Sequence, residues 1–312
     1  MLIFFNAIGG LISIIIMVSL GYLLTRKGWF NQTNSALLPK LVNYIALPTY
    51  MIWNLMTTFD KANFLPMFNG IIVPILSMLI SFFIAFAFSK ALRLPQNQAG
   101  TFRSIFFCSS SVFVGVPVNL ALFGEKSIPY VLVYFLANAF LFWTVGNYSI
   151  SLDGKTAPAK IVSVETLKRV CSPPFVGFAL AVILILGEIH LPDFVMNTAK
   201  YLGGMTTPLS MLFIGITMFG VKLSNIKLDK AMLAVLIGRF VISPLAVLAV
   251  TAFIPIPDLM RKVFVIQAAL PAMSHNTVLA KVYEADAEYA ALLVTITTLF
   301  AVFAIPIYMV VI

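Results

Sequence analysis

The chain has 312 residues, of which 61% are hydrophobic and only 10% are charged, and its mean hydropathy is +1.03. A soluble domain of this length cannot bury so much apolar surface, so the composition excludes the soluble classes and indicates a polytopic membrane protein. Twenty Lys and Arg stand against eleven Asp and Glu, giving a net charge of +9. In membrane proteins such an excess sets the topology through cytoplasmic loops, so no nucleic-acid partner is expected.

Ten apolar stretches, most of them about 20 residues or longer, follow one another along the chain as candidate membrane spans. Residues 1–28 lack a basic start and a small-residue cleavage site, so they predict a first span rather than a removable signal. The expected fold is an all-α membrane protein of ten spans, with nine or eleven left open. The spans are residues 3–24, 36–57, 65–90, 103–123, 128–151, 172–187, 195–220, 230–253, 262–283 and 289–311.

Basic residues alternate between the loops on the two sides of these spans. The loops after spans one, three, five, seven and nine hold fourteen Lys and Arg, whereas the opposite loops hold five and one more lies inside a span. The positive-inside rule places the first set in the cytoplasm. It therefore predicts a multi-pass protein of the cell membrane with both termini outside.

The longest polar stretch predicts a division of the chain into two repeats. Residues 152–169 are expected to form a cytoplasmic linker between a first five-span repeat, residues 1–151, and a second, residues 170–312. Because five is an odd number, the second repeat must enter the membrane from the opposite side. The two groups are therefore predicted to be inverted repeats.

Four prolines mark corresponding places in the two halves. Pro48 in span two and Pro208 in span seven are 160 residues apart, and Pro117 in span four and Pro271 in span nine are 154 apart. A proline removes a helix hydrogen bond and crowds the preceding turn, so these positions predict helix breaks. Spans four and nine would each contain a half-helix that begins at its proline, with its positive end near mid-membrane. Paired broken spans of this kind are typical of secondary transporters and attract carboxylates.

Polar side chains near both breaks are the candidate substrate-binding residues. They can donate hydrogen bonds to a carboxylate or hydroxyl without adding a full charge. The alternative is that they satisfy the interrupted backbone or let helices pack closely. The candidates are Ser109, Ser110, Ser111, Gly115 and Asn119 at the fourth-span break, and Gln267, Ser274, His275 and Asn276 at the ninth-span break.

Arg239 lies about ten residues into span eight, where a charge costs about 2.5–3.5 kcal/mol on insertion scales. No Asp or Glu is predicted at a comparable depth, so the guanidinium must meet backbone carbonyls, water or an anionic substrate. Arg239 is therefore a candidate substrate anchor, with a structural brace as the alternative. His275 can carry a proton, donate a hydrogen bond or simply pack.

Nothing in the sequence predicts an enzyme. A membrane-embedded enzyme would need a nucleophile, a metal cluster or paired carboxylates, and an ATPase would need a phosphate-binding loop. No metal or other cofactor is expected, and a proton or sodium ion is left open as the coupling ion. Cys108 and Cys171 lie in or beside apolar runs and are expected to be free, buried thiols.

Motifs spread over the whole chain resemble the auxin efflux carrier family, which includes bacterial malate and malonate permeases. These are S-L-G-Y-L-L-T-R-K-G in span one, N-Y-I-A-L-P in span two, F-V-G-V-P-V-N-L-A-L-F-G in span four, G-R-F-V-I-S-P in span eight and A-L-P-A-M-S-H-N-T-V-L-A-K-V-Y in span nine. The resemblance implies a scaffold domain of spans one, two, six and seven and a transport domain of spans three to five and eight to ten. The sequence departs from many members in having Ser110 and Val112 where they carry Asn and Gly.

The resemblance implies a secondary transporter of small organic anions, with a dicarboxylate such as malate as the expected substrate and an elevator as the expected mechanism. The alternatives are an anion channel and a carrier of aromatic or monocarboxylic acids. Membrane lipid is the expected surrounding, and a homodimer is left open.

Overall fold

The computed structural model describes the backbone of residues 2–156, 158, 159, 161, 171–220 and 229–311. Side chains are described for the same residues except 2–11, 32, 33, 62, 63, 65–67 and 309–311. Most of the predicted linker, 152–169, lies outside the described residues. So do five of the basic residues that contributed to the predicted topology, which are Lys160, Lys168, Arg169, Lys222 and Lys227.

The described part of the chain is almost entirely helical and contains no β-strand, which confirms the predicted all-α class. The α-helices are Leu2–Arg26, Gln32–Ser35, Leu37–Leu41, Leu47–Thr58, Lys61–Phe64, Ile72–Ala91, Gln96–Phe107, Gly115–Phe123, Ile128–Leu141, Asn147–Ser151, Pro173–Leu186, Asp193–Gly204, Thr206–Phe219, Lys230–Ile237, Ser243–Phe253, Asp258–Ala268, His275–Val282 and Ala287–Val311. Three π-helical turns, Val42–Ala46, Phe142–Gly146 and Gly238–Ile242, and two 3₁₀ turns, Leu65–Gly70 and Glu125–Ser127, join some of them.

Five helical stretches in the described residues are long and apolar enough to cross a membrane. Two shorter apolar helices, Ile12–Arg26 and Pro173–Leu186, accompany them. The stretches predicted as spans four and nine are each divided into two short helices. The ten-span count and the inverted repeat stay predictions. The five stretches are Phe68–Ala91, Glu125–Ser151, Asp193–Phe219, Lys230–Phe253 and Ala287–Tyr308.

The chain forms two compact units, each assembled from three separate segments. The first unit comprises Met1–Asn69, Val112–Leu132 and Cys171–Val221. The second comprises Gly70–Ser111, Val133–Val170 and Lys222–Ile312.

Glycines allow helices of the first unit to approach each other closely. Leu2–Arg26 packs along Thr206–Phe219, and a Cβ atom placed on Gly215 would lie 2.0 Å from the carbonyl oxygen of Val18. No side chain fits at that distance, so the contact requires glycine. Close backbone approach of this kind supplies the van der Waals packing that holds helices together in lipid.

A π-turn, Gly238–Ile242, distorts the eighth predicted span just before Pro244. Proline has no N–H group and its ring crowds the carbonyl four residues earlier, so the carbonyl of Phe240 is released from the helix. That carbonyl accepts a hydrogen bond from the hydroxyl of Tyr308. Arg239, the charged residue that the sequence placed within this span, lies inside this π-turn.

Both cysteines are free, but only one of them is buried. Cys108 is fully buried in the second unit, whereas Cys171 is exposed. The prediction of two buried thiols was therefore wrong for Cys171. The reason is local, because Cys171 precedes the helix that begins at Pro173 and is followed by Ser172 in an extended conformation.

Candidate functional site

The helix predicted as span four is interrupted over residues 108–114. Gln96–Phe107 ends at Cys108, whose backbone is extended with φ −94° and ψ 133°, and the helix resumes as Gly115–Phe123. Pro117 lies in the first turn of the second helix, where its missing N–H group is not needed. The half-helix therefore begins at Gly115 and not at the proline, which corrects the predicted start.

The helix predicted as span nine is interrupted over residues 269–274. Asp258–Ala268 ends there, and His275–Val282 continues beyond the break. Pro271 lies inside the break, and a residue preceding proline is disfavoured in the helical conformation. The second half-helix therefore begins at His275, after the proline, which again corrects the predicted start.

The two breaks contact each other within the second unit, where residues 109–111 meet residues 267–272, a place called the crossing. Ser109 and Ala272 form an antiparallel bridge, which is an isolated β-bridge in the described residues. The backbone N–H of Ser110 donates to the carbonyl of Pro271 at 2.8 Å. The interrupted backbones thus satisfy part of each other's hydrogen-bonding need, which apolar surroundings would otherwise leave unmet.

Asn138 is a third partner at this crossing and was not among the predicted site residues. Its side-chain oxygen accepts from the N–H of Ser109 at 3.0 Å, and its amide nitrogen donates to the carbonyl of Ser109 at 2.9 Å. The same nitrogen reaches the hydroxyl of Ser111 at 3.1 Å. A buried amide in the otherwise apolar run L-A-N-A-F was the signal that could have found it, because polar side chains within spans are rarely without a role.

Gln267 approaches the crossing from the end of the helix Asp258–Ala268. It is fully buried, and its amide nitrogen donates to the carbonyl of Ser111 at 3.1 Å. Its side-chain oxygen has no hydrogen-bond partner among the described residues. Gln267 therefore supports the interrupted backbone and leaves one acceptor unused.

Arg239 is fully buried and directs its guanidinium at carbonyls released by the two breaks. Nε donates to Leu270 at 3.2 Å and Nη1 donates to Phe106 at 3.2 Å. Nη2 donates to Ala268 at 2.9 Å and also to Leu270 at 3.0 Å. The guanidinium thus joins the carboxyl-terminal ends of the helices on both sides of the crossing, the brace geometry that the sequence left as an alternative.

Asn276 connects Gln96–Phe107 to His275–Val282, the helix that follows the second break. Its side-chain oxygen accepts from the hydroxyl of Ser104 at 2.6 Å, and its amide nitrogen donates to the carbonyl of Met273 at 2.7 Å. The residue is fully buried. Its described contacts therefore hold the start of His275–Val282 against Gln96–Phe107.

The accessible polar groups near the crossing are fewer than the sequence suggested. Ser110 is half-buried, and Ser274 and His275 are exposed, whereas the side chains of Ser109 and Ser111 are buried. The ring of His275 lies edge-on to the rings of Phe142 and Trp143, at centroid distances of 6.3 and 5.9 Å. Ser110, Ser274 and His275 are consequently the groups best placed to meet a ligand.

Two predicted site residues, Gly115 and Asn119, belong to the first unit. The side-chain nitrogen of Asn119 donates to the carbonyl of Gly115 at 2.8 Å, and the hydroxyl of Ser127 donates to the carbonyl of Asn119. The side-chain oxygen of Asn119 is buried and has no partner in the described part of the chain.

The remaining two prolines also lie in the first unit, each in the first turn of a helix. Pro48 follows the π-turn Val42–Ala46 and opens Leu47–Thr58. Pro208 lies at the start of Thr206–Phe219, three residues after Met205, whose backbone is helical with φ −68° and ψ −17°. Proline is tolerated in a first turn, and the chain stays in a helical conformation where it enters both helices.

Charges and partial charges of both signs meet at the crossing. The carboxyl-terminal ends of Gln96–Phe107 and Asp258–Ala268 carry partial negative charge, which the full positive charge of Arg239 opposes. The amino-terminal end of His275–Val282 adds partial positive charge. Among the described residues no group of three His, Cys, Asp or Glu side chains could hold a metal ion.

Comparison with known proteins identifies the family. The sequence profile of the family described as membrane transport protein matches residues 6–309. The chain is 24% identical over 306 residues to an uncharacterized transporter of Methanocaldococcus jannaschii, covering 95% of each chain. It is also 24% identical over 315 residues to an uncharacterized transporter of Methanothermobacter thermautotrophicus, covering 99% of this chain and 100% of that one. Since the family match extends over nearly the whole length, the chain belongs to the membrane transport protein family, that of the auxin efflux carriers.

Proposed function

We propose that this membrane transporter is a secondary carrier of small organic anions, with a dicarboxylate such as malate as its substrate. The observation that carries the proposal is the contact between two broken helices at Ser109 and Ala272. Helices interrupted in this way place polar backbone and helix ends at a depth where an uninterrupted helix would present only apolar side chains.

The charge at the crossing supports an anion rather than a cation. The described side chains that surround it are hydroxyls, amides, an imidazole and the guanidinium of Arg239. We propose that Arg239 acts as an internal brace, because four hydrogen bonds join its N–H groups to the carbonyls of Phe106, Ala268 and Leu270. The substrate carboxylate would then meet Ser110, Ser274 and His275, supported by the helix start at His275.

The membrane arrangement that accompanies this proposal has ten spans in two inverted repeats, in the cell membrane, with both termini outside. Its support is the alternation of basic loops and the paired prolines. Elevator-type alternating access is the mechanism that the family resemblance implies. The proposed substrate class likewise rests on relatives that include malate and malonate permeases.

A liposome assay tests the proposal directly. Purified protein should exchange external labelled malate for internal malate, and the rate should saturate as the malate concentration rises. Currents that stay proportional to concentration would instead indicate a channel. Competition by indole-type or monocarboxylic acids, but not by dicarboxylates, would assign the other substrate class.

Variants at the accessible groups test the site. Ser274→Ala removes an exposed hydroxyl beside the crossing, and a hydrogen bond to a charged group contributes about 1.5–3 kcal/mol. We therefore expect KM for malate to rise about tenfold or more. Thr198→Ala is the matched control, because its hydroxyl is exposed and donates only to the carbonyl of Phe194. Equal KM values for the two variants would reject Ser274 as a ligand.

A further inference from the structure

Two basic side chains share one aromatic ring at the end of the helix Ile72–Ala91. The Nζ of Lys90 lies 4.7 Å from the centre of the Phe86 ring. The guanidinium carbon of Arg103, on the neighbouring helix Gln96–Phe107, lies 4.5 Å from the same centre. Aromatic rings attract cations through their electron-rich faces, so Phe86 holds two positive charges close together.

A buried serine fixes the position of the guanidinium. The Nε of Arg103 donates to the hydroxyl oxygen of Ser89 at 2.8 Å, and that hydroxyl donates to the carbonyl of Phe86 at 2.8 Å. Ser89 is only 3% exposed, so packing and not solvent sets its geometry. The terminal N–H groups of Arg103 have no hydrogen-bond partner among the described residues, and they are therefore available to a ligand.

No carboxylate pairs directly with these two charges. In the described part of the chain, no Asp or Glu oxygen lies within 4.0 Å of the side-chain nitrogens of Lys90 or Arg103. Asp153 attracts Arg103 electrostatically, but its two oxygens accept hydrogen bonds from the backbone N–H groups of Gly100 and Thr101, both at 2.6 Å. Two neighbouring cations repel each other, so an anion that contacts both is favourable.

An exposed apolar stripe leads along the same helix to these cations. Its residues recur every three or four positions and therefore lie on one helix face, which ends at Lys90 in the last turn. In a membrane protein such a face contacts the acyl chains of lipids. The apolar stripe consists of Ile72, Leu76, Ile80, Phe83 and Phe86, which are 36–67% exposed.

The predicted topology places this end of the helix on the cytoplasmic side, where Lys90, Arg93 and Arg103 belong to the basic loop after span three. The cytoplasmic leaflet carries anionic phospholipids. A phospholipid combines a phosphate anion, which Arg binds through paired N–H donors, with acyl chains that suit the apolar stripe. A zwitterionic headgroup also carries a cation, which the two basic side chains repel.

We propose that Lys90 and Arg103 form a binding site for the headgroup of an anionic phospholipid, with an acyl chain lying along the apolar stripe. The phosphate accepts hydrogen bonds from the terminal N–H groups of Arg103 and from the ammonium group of Lys90. Phe86 holds both cations, and Ser89 positions Arg103. The site lies within the second unit and does not depend on the proposed substrate.

Native mass spectrometry of the purified protein in detergent tests the site without any substrate. Titrations with phosphatidylglycerol and with phosphatidylcholine of the same acyl chains give a dissociation constant for the first bound lipid. Phosphatidylglycerol should bind about fivefold more tightly or better, and Lys90→Gln should weaken its binding about fivefold, the effect of one basic residue near a charged membrane surface. Lys200→Gln is the control, because Lys200 lies over the Trp53 ring of the first unit at 5.7 Å.

A second pair of variants separates the geometry of the site from its charge. Ser89→Ala keeps every charge but releases Arg103 from its anchor. Binding of phosphatidylglycerol should therefore weaken about three- to tenfold, because a long side chain must now be ordered when the lipid binds. Ser81→Ala is the control, since Ser81 is buried on the same helix and its hydroxyl donates to the carbonyl of Ser77.

Two further measurements distinguish a lipid from a free anion. An excess of inorganic phosphate should leave the bound phosphatidylglycerol in place, because phosphate has no acyl chain for the apolar stripe. Phe83→Ala should weaken lipid binding, whereas Phe303→Ala, on the last helix, should not. The two residues make a matched pair because they are 67% and 70% exposed.

Several outcomes would overturn the proposal. These are equal affinities for the two lipids, an unchanged affinity for phosphatidylglycerol in both Lys90→Gln and Ser89→Ala, and losses of the same size in the control variants. Displacement of the lipid by inorganic phosphate would assign the two cations to a free anion and would equally overturn it.

Discussion

At the scale of single residues, Arg239 shows how a buried charge is accommodated without an acidic partner among its described contacts. Two helices end at the crossing with carbonyls that no further helical turn can satisfy. The guanidinium donates hydrogen bonds to carbonyls at the ends of both helices. Its positive charge also opposes the partial negative charge of these two helix ends. The breaks and the arginine therefore depend on each other.

Replacing Arg239 with Met should lower stability by about 3 kcal/mol or more, because the carbonyls of Phe106, Ala268 and Leu270 would lose these donors. Arg239→Lys should recover only part of the loss, since an ammonium cannot reproduce the planar fork. Thermal unfolding in detergent, followed by tryptophan fluorescence, measures the effect. Arg261→Met is the control, because Arg261 pairs with Asp258 at an exposed site. Similar unfolding temperatures for the Arg239 and Arg261 variants would contradict the brace.

Asn138→Ala should destabilise the second unit by about 2–4 kcal/mol, because the N–H and carbonyl of Ser109 would both lose their side-chain partner. Chemical denaturation monitored by fluorescence is the appropriate measurement. Asn197→Ala, at an exposed position of Asp193–Gly204, should change stability by less than about 0.5 kcal/mol. A loss no larger than that of the control would show that Asn138 does not hold the break.

At the scale of helices, packing depends on where glycine permits close backbone approach. Gly203 and Gly204 are neighbours in one helix of the first unit, yet their surroundings differ. A Cβ on Gly203 would lie 2.7 Å from the Cα of Tyr50, whereas a Cβ on Gly204 would meet nothing within 4 Å. The sequence alone does not distinguish these two glycines. The packing requires glycine at position 203 and leaves room for a larger side chain at position 204.

This pair gives a matched test. Gly203→Ala should cost about 1–3 kcal/mol, because the helix carrying Tyr50 must move away. Gly204→Ala should stabilise by up to about 1 kcal/mol, because alanine loses less backbone entropy in a helix. Unfolding temperatures of the two variants, measured side by side, decide the matter. Equal shifts would mean that these helices do not pack as described.

At the scale of the whole molecule, the distribution of basic residues predicts which side of the membrane each loop occupies. Cys171 follows the predicted cytoplasmic linker and is exposed, whereas Cys108 is fully buried. A membrane-impermeant maleimide should therefore label the protein in inside-out vesicles and leave it unlabelled in right-side-out vesicles. Cys171→Ser should abolish labelling until the protein is denatured. Labelling from the outer side would reverse the predicted topology.

Much of the fold was readable because it follows from local chemistry. Apolar composition required helices in a membrane, since lipid leaves no other way to satisfy an isolated segment's backbone. Pro117 and Pro271 indicated the two segments in which the helix is interrupted, although not the residue at which each half-helix begins. The family motifs indicated a transporter, and the family profile over residues 6–309 confirmed the family.

The candidate site was only partly predictable, because its hydrogen bonds join residues far apart in the chain. The sequence indicated Arg239 and Asn276 as candidates but could not tell whether they bind substrate or hold the helices together. That depends on which carbonyls and hydroxyls lie within about 3 Å of each side chain. It missed Asn138, whose partner Ser109 lies 29 residues away.

The sequence by itself determined that the chain is an all-α membrane protein. Hydropathy, the distribution of basic residues and the positions of prolines can be evaluated without knowing which residues are in contact. Tertiary structure alone decided what each polar side chain touches. In an apolar interior every released carbonyl and N–H must find a partner, and that partner comes from whichever helix packs alongside. Arg239 therefore acquires its hydrogen-bond partners from residues that lie far from it in sequence, such as Phe106.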